Sequence, residues 1–352
     1  MTRILQFTAA ILEATDQCMG HDSSVYVIGL GTTDPKGTFG TTLGLDKKYG
    51  SDRCMDMPTS ENGMTGVAIG SAILGMRPII THQRVDFALL SLDQIINNAA
   101  KWHYMFGGRM KVPLVIRLVI GRGWGQGPQH SQALHSVFAH IPGLKVVMPA
   151  TPHDAKGLLI SAVEDDNPVI FLEHRWLHGV VGEVPEEMYR VPLAKCRLVR
   201  SGTDVTLVAA SFMTLEAIRA AEILAEDGIE ADVIDVRTLK PLDRETILAS
   251  VAKTGRLVVG DIGWRHAGFA AELMASVAED AFPHLKAAPI RITLPDAPIP
   301  TSSALSVALY PGVADLVNAA RRTLALPPVP EGRIPASSTP HDVPDPSFMG
   351  PF

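Results

Sequence analysis

A single carboxylate opens a smooth run of small residues in MPTSENGMTGVAIGSAILGMRPII, residues 57–80. Glu61 is followed by Gly63, Gly66, Ala68, Gly70, Ala72 and Gly75, and after Met64 no charge appears until Arg77. A carboxyl group held between a strand end and a glycine-bearing helix start can serve as an acid–base group at a closely packed seam. The same placement also suits a plain helix-start acid, favoured there by the macrodipole. The second candidate is His130 in GPQHSQ (127–132), which ends a loop holding Gly121, Gly123, Gly125 and Gly127. Glycines let backbone come close to a ligand, and a histidine beside them can be an acid, a base or a hydrogen-bond donor. A surface loop with a hydrogen-bonded histidine reads the same way, so neither feature alone names a reaction.

Other chemistries lack their spacing. GLGTTDPKG (29–37) has glycines after a strand but neither the P-loop nor the dinucleotide pattern. His130 and His135 stand five apart without an acidic ligand pattern for zinc, and no serine-hydrolase elbow is present. Cys18, Cys54 and Cys196 are odd in number and far apart, forming neither a disulfide framework nor a metal cluster.

The elements that must carry these residues alternate. SVYVIGLG (24–31) and VPLVIRLVIG (112–121) predict buried strands. SLDQIINNAAKWHYMFGG (91–108) predicts a helix with Leu92, Ile95, Ile96, Ala99 and Trp102 on one face and glycines at its end. GLKVVMPA, TPHDAKGLLISAVEDDN and PVIFLEH read as strand, helix and strand. Such alternation argues for a parallel sheet between helices. Residues 174–202 are polar and irregular and read as a connector. A second alternating unit begins at DVTLVAAS and ends with the helix GVADLVNAARRTLAL. The expected organisation is therefore an α/β domain over 1–177, a connector over 178–202, a smaller α/β domain over 203–326 and a flexible proline-rich tail over 327–352.

Composition limits the partners. With 46% hydrophobic and 19% charged residues the chain suits a globular protein with a large core. A net charge of −6 gives no reason to expect nucleic acid. The first twenty residues have apolar positions interrupted by Gln6, Glu13 and Asp16, which predicts an amphipathic helix rather than a signal peptide. No apolar run reaches the roughly 20 residues that span a bilayer, and the thiols read as reduced, so a cytoplasmic location is expected.

Taken together, TSENGMTGVAIGSAILGMRPI, DQIINNAAKWHYMFGG, QHSQ, HIPGLKVVMPATPHDAKGLL, NPVIFLEH, GEVPEEMY and VIDVRTLKPLD, in that order, resemble the beta subunit of thiamine-diphosphate-dependent 2-oxo acid dehydrogenases. This group includes the decarboxylating components of pyruvate, branched-chain and acetoin dehydrogenases, and the likeness runs from about residue 3 to residue 325. The resemblance implies a thiamine-diphosphate-binding fold, in which a pyrimidine-binding domain precedes a smaller transketolase C-terminal-like domain. It implies that Glu61 hydrogen-bonds N1′ of the cofactor's aminopyrimidine, promoting loss of the thiazolium proton. It implies that His130 donates to substrate and that Phe87 lies against the aminopyrimidine, although core packing also explains a phenylalanine. A potassium site would draw on Leu114, Ala162, Asp165 and Asn167, an oxygen shell suited to a hard cation. The GDG…NN segment that holds magnesium and the diphosphate is absent from the sequence. The resemblance assigns it to an alpha subunit, giving an α2β2 heterotetramer that serves a lipoyl acyltransferase.

Departures from the family pattern gather at the substrate end. GLGTT (29–33) replaces an acidic run, and Arg84, Trp124 and His135 stand where neutral, smaller or acidic residues are usual. These three are expected near the substrate entrance. The leading expectation is oxidative decarboxylation of a 2-oxo acid with acyl transfer to a lipoyl group. The alternative is a split transketolase or an acyloin-forming carboligase that passes the carbanion to an aldehyde. A non-catalytic scaffold is disfavoured by the intact Glu61 and His130.

Overall fold

The computed structural model describes residues 2–122, 125–306, 308–330 and 332–334. The first part of the chain carries strands β1 (Thr2–Gln6), β2 (Val25–Gly29), β3 (Cys54–Asp56), β4 (Arg77–His82), β5 (Val115–Ile120), β6 (Lys145–Val147) and β7 (Val169–His174). Strands β8 (Val181–Pro185), β9 (Arg197–Arg200), β10 (Val205–Ala209), β11 (Ala231–Asp235), β12 (Thr238–Lys240), β13 (Leu257–Trp264) and β14 (Ile290–Leu294) follow.

The larger sheet has the order β12, β6, β7, β5, β4, β2, β3. All its pairings are parallel except β12 with β6. Alternation along β2 shows why helices cover both faces: Val25 and Val27 join the core under the helices Phe7–His21 and Pro152–Glu164, while Tyr26 and Ile28 join the core under the helix Glu61–Ile73. A second sheet, in the order β14, β13, β10, β11, β9, belongs to the C-terminal half. One hydrophobic core runs from Ile116 and Ile170 through Val208 and Val233, so the two halves pack as one body.

The sequence pattern and the structure part company in four places. The amphipathic helix starts at Phe7, because Thr2–Gln6 pairs antiparallel with Val181–Pro185 and the ladder satisfies its backbone. The connector is not irregular throughout: β8 makes that pairing, and β9 extends the C-terminal sheet beside β11. β12 leaves the C-terminal half and joins the first sheet beside β6. Finally, the helix expected over 91–108 is a single-turn 3₁₀ segment at Leu89–Ser91, a π segment at Gln94–Ala99 and an α segment at Ala100–Met105. It ends before Gly107 and Gly108, whose positive φ values of 62° and 78° suit glycine. Of the proline-rich tail, residues 335–352 lie outside the described residues. No described helix is long and apolar enough to cross a membrane.

Candidate active site

In an open parallel sheet, ligands gather outside the carboxyl ends of the strands. Four such ends converge here. The turn after β2 brings Leu30, and the segment after β3 brings Thr59 and Glu61. The segment after β4 brings Gln83, Arg84 and Phe87, and the glycine loop after β5 brings Gln126 and His130. Together with Phe39 and Leu90 they line a cavity of about 610 Å³. The sequence candidates Glu61, Phe87 and His130 thus meet in one space.

Glu61 is the first residue of the helix Glu61–Ile73 and only 6% exposed. Its carboxylate accepts no hydrogen bond from any described residue, and Ser60 provides no side-chain cap. A buried carboxyl group without a partner is costly, and the partial positive charge of a helix start offsets only part of that cost. The geometry therefore suits a ligand that presents a basic nitrogen. Phe87 and His130 meet edge to face, with ring centroids 5.2 Å apart, so the histidine ring is held beside the aromatic wall. The face of the helix after Glu61 is smooth: Gly63 and Gly70 are exposed together with Val67 and Leu74.

The three departures from the family pattern separate. Arg84 lines the cavity and is 2% exposed. His135 does not reach it. Its Nε2 lies 2.9 Å from Asp261 Oδ1 and its ring packs against Phe269, both from the C-terminal half. His135 therefore joins the two halves of the molecule, and its expected place at the substrate entrance is corrected. Trp124 lies outside the described residues.

The glycine run of GLGTT makes no cradle, since the Gly31 N–H donates to Asp56 Oδ1 at 2.8 Å. The residues expected to hold potassium are engaged within the fold. The carbonyl oxygen of Leu114 accepts from Val169 N at 2.9 Å, and that of Ala162 from Asp165 N at 3.3 Å. Each carbonyl keeps a second lone pair. The Asp165 carboxylate is engaged by Lys145 and by the Asn167 backbone N–H at 2.9 Å.

Sequence reasoning missed an aromatic and cationic cluster around Gly121, the residue whose carbonyl Arg84 binds. The Arg122 guanidinium lies over the rings of Phe212 and Tyr310, at 4.7 and 4.5 Å. His174 stacks on Phe212 at 5.1 Å and fills the space above Gly121, where a Cβ would meet its ring at 2.1 Å. Gln126 had a signal, since it shares the glycine loop with His130. Phe39 and Arg175, whose guanidinium sits 4.6 Å over the Phe39 ring, had none.

His82, at the end of β4, is buried with neither ring nitrogen hydrogen-bonded to a described residue, and burial pushes its pKa down to about 4. The folded chain then refuses a proton that the unfolded chain accepts between the ordinary value of 6.5 and about 4. Stability should fall as pH falls through that window. The thermal midpoint of His82→Leu should therefore rise relative to the parent chain as pH drops from about 7 to about 5. Parallel profiles for the two chains would mean that His82 is protonated without cost.

Comparison with known proteins agrees with the topology. The profile for the transketolase pyrimidine-binding domain matches residues 4–179, and the profile for the transketolase C-terminal domain matches 194–316. The beta subunit of acetoin:2,6-dichlorophenolindophenol oxidoreductase from Cupriavidus necator is 46% identical over 334 residues, covering 92% of this chain and 98% of that one. The pyruvate dehydrogenase E1 component subunit beta of Rickettsia felis is 40% identical, covering 89% and 96%. A solved structure described as a split-gene transketolase, inactive β4 tetramer, shares the fold at a TM-score of 0.76 and 23% identity, covering 92% of this chain and 99% of that one. The chain belongs to the transketolase-type family that joins these two domains, among the beta subunits of acetoin and pyruvate dehydrogenases.

Proposed function

We propose that this chain is the beta subunit of a thiamine-diphosphate-dependent 2-oxo acid dehydrogenase, active only with an alpha subunit that carries the diphosphate motif. The observation that carries the reading is the buried Glu61 carboxylate, unpartnered among the described residues and facing a cavity shared with Phe87 and His130. When bound, thiamine diphosphate supplies a carbanion-stabilising ring that lets a 2-oxo acid lose carbon dioxide. Glu61 hydrogen-bonds the aminopyrimidine nitrogen and shares its proton in a site of low dielectric, where such a bond is strong. Phe87 walls the aromatic ring and excludes water. His130 would donate a hydrogen bond to the substrate oxygen and can give a proton to the sulfur that leaves as the disulfide opens.

The net reaction joins the acyl group to one sulfur of a lipoyl disulfide, protonates the other sulfur and releases carbon dioxide. Magnesium belongs to the partner's half of the site. Potassium, where present, is held by the carbonyl oxygens near Leu114 and Ala162. The smooth exposed face of Gly63, Val67, Gly70 and Leu74 suits close packing against another subunit in an α2β2 assembly.

Reconstitution with the partner subunit tests this reading. A panel of 2-oxo acids with an artificial electron acceptor should reduce the dye. Ketol products from 2-oxo acids and aldehydes, without dye reduction, would overturn it in favour of a carboligase. In the same assay His130→Ala should lower kcat by about 10²-fold or more while cofactor affinity changes little. Lost cofactor binding with an unchanged rate would contradict its placement on the substrate side.

A further inference from the structure

Arg84 is the charged residue of this cavity to which the proposed chemistry gives no task. It is almost fully buried, yet it helps line the space that holds Glu61 and His130. Its guanidinium donates to the Gly121 carbonyl at 3.3 Å and to the side-chain oxygen of Gln126, both neutral acceptors. No ion pair among the described residues includes it, and Asp86 on the same segment is turned to Gln132 at 2.7 Å. Burial brings its pKa down to about 10, so it keeps its charge at neutral pH. Much of the surrounding wall is apolar, with Leu30, Phe39 and Leu90 on it. A fixed positive charge in such a cavity attracts an anionic group far more strongly than it would in water.

We infer that Arg84 is a specificity-determining residue that binds a carboxylate at the end of the donor remote from its reacting carbonyl, so that the favoured donor is a dicarboxylic 2-oxo acid. The inference rests on the decarboxylating reading above. A guanidinium keeps N–H groups to spare beyond two hydrogen bonds, and its planar fork matches a carboxylate. The carboxylate next to the carbonyl is excluded as the target. It leaves as neutral carbon dioxide, so a guanidinium on it would hold the ground state more tightly than the transition state and slow the reaction.

The test uses the complete complex with its partner subunit, loaded with an unreactive cofactor analogue whose thiazole carbon carries no proton, so that no donor is decarboxylated during the titration. Calorimetry compares 2-oxoglutarate with 2-oxopentanoate, which has the same chain length but no second carboxylate. The parent complex should bind 2-oxoglutarate about 10–100-fold more tightly, as expected for a hydrogen bond to a charged group. Arg84→Met should erase the preference and Arg84→Lys should keep part of it. Equal binding of the two acids by the parent complex, a comparison that needs no variant, would overturn the inference. So would a preference that survives in Arg84→Met. Dye reduction run in parallel with the reactive cofactor reports on the reaction separately: a binding preference with no turnover of any 2-oxo acid contradicts the dehydrogenase reading and leaves the carboxylate site standing.

Discussion

Glu61→Gln is expected to lower the turnover of the reconstituted complex by about 10²–10⁴-fold, the usual cost of losing a positioned acid–base group. The amide has nearly the volume of the acid, so the helix Glu61–Ile73 and its smooth outer face should stay in place. What is lost is the proton that the carboxyl group shares with the cofactor. The competing explanation for Glu61, a helix-start acid, makes a different forecast. Its loss would cost about 0.3–1 kcal/mol of stability and leave the rate alone. Steady-state dye reduction and thermal melting on the same preparation separate the two. A normal rate with a slightly lower melting point would return Glu61 to a capping role.

Glu173→Gln is expected to be the most damaging single change to the fold. Arg117 on β5 and Glu173 on the neighbouring β7 meet diagonally in the middle of the sheet, with Nε to Oε1 at 2.6 Å and one guanidinium nitrogen to Oε2 at 3.0 Å. Both side chains are 1% exposed. Burial alone would push the Glu173 carboxyl up, but the Arg117 guanidinium and the His178 ring together hold the pKa below the ordinary value. The amide leaves the guanidinium buried without a counter-charge, which typically costs about 3–5 kcal/mol. In a protein of this size that corresponds to a fall of about 4–7 °C in the melting point. Replacing both residues with apolar side chains of similar volume should recover much of the loss, because no uncompensated charge remains. A fall of less than about 1 kcal/mol in Glu173→Gln would mean that water reaches the pair.

Much of this was legible in the sequence, and what was hidden has physical reasons. The run VPLVIRLVIG was readable as a strand because it is short, rich in β-branched residues and bounded by Pro113 and Gly121. Glu61 and His130 stood out because glycines around a polar residue signal close approach. The pairings β1 with β8 and β12 with β6 were not legible. Their partners are far apart in sequence, and strands of three to five residues carry too little alternation to fix a register. The π segment at Gln94–Ala99 shows nearly the same apolar spacing as an α-helix, so periodicity could not reveal it. Arg84 lies at the cavity as its departure from the family pattern suggested, whereas only the packed structure sends His135 to Asp261, far along the sequence.

The central claim is that this chain supplies one half of a shared thiamine diphosphate site. Calorimetric titration of thiamine diphosphate with magnesium tests it most directly, first into the purified chain and then into its complex with the alpha subunit. Weak or undetectable binding by the chain alone, and stoichiometric binding by the complex, is the result predicted. Tight stoichiometric binding by the isolated chain would contradict the account.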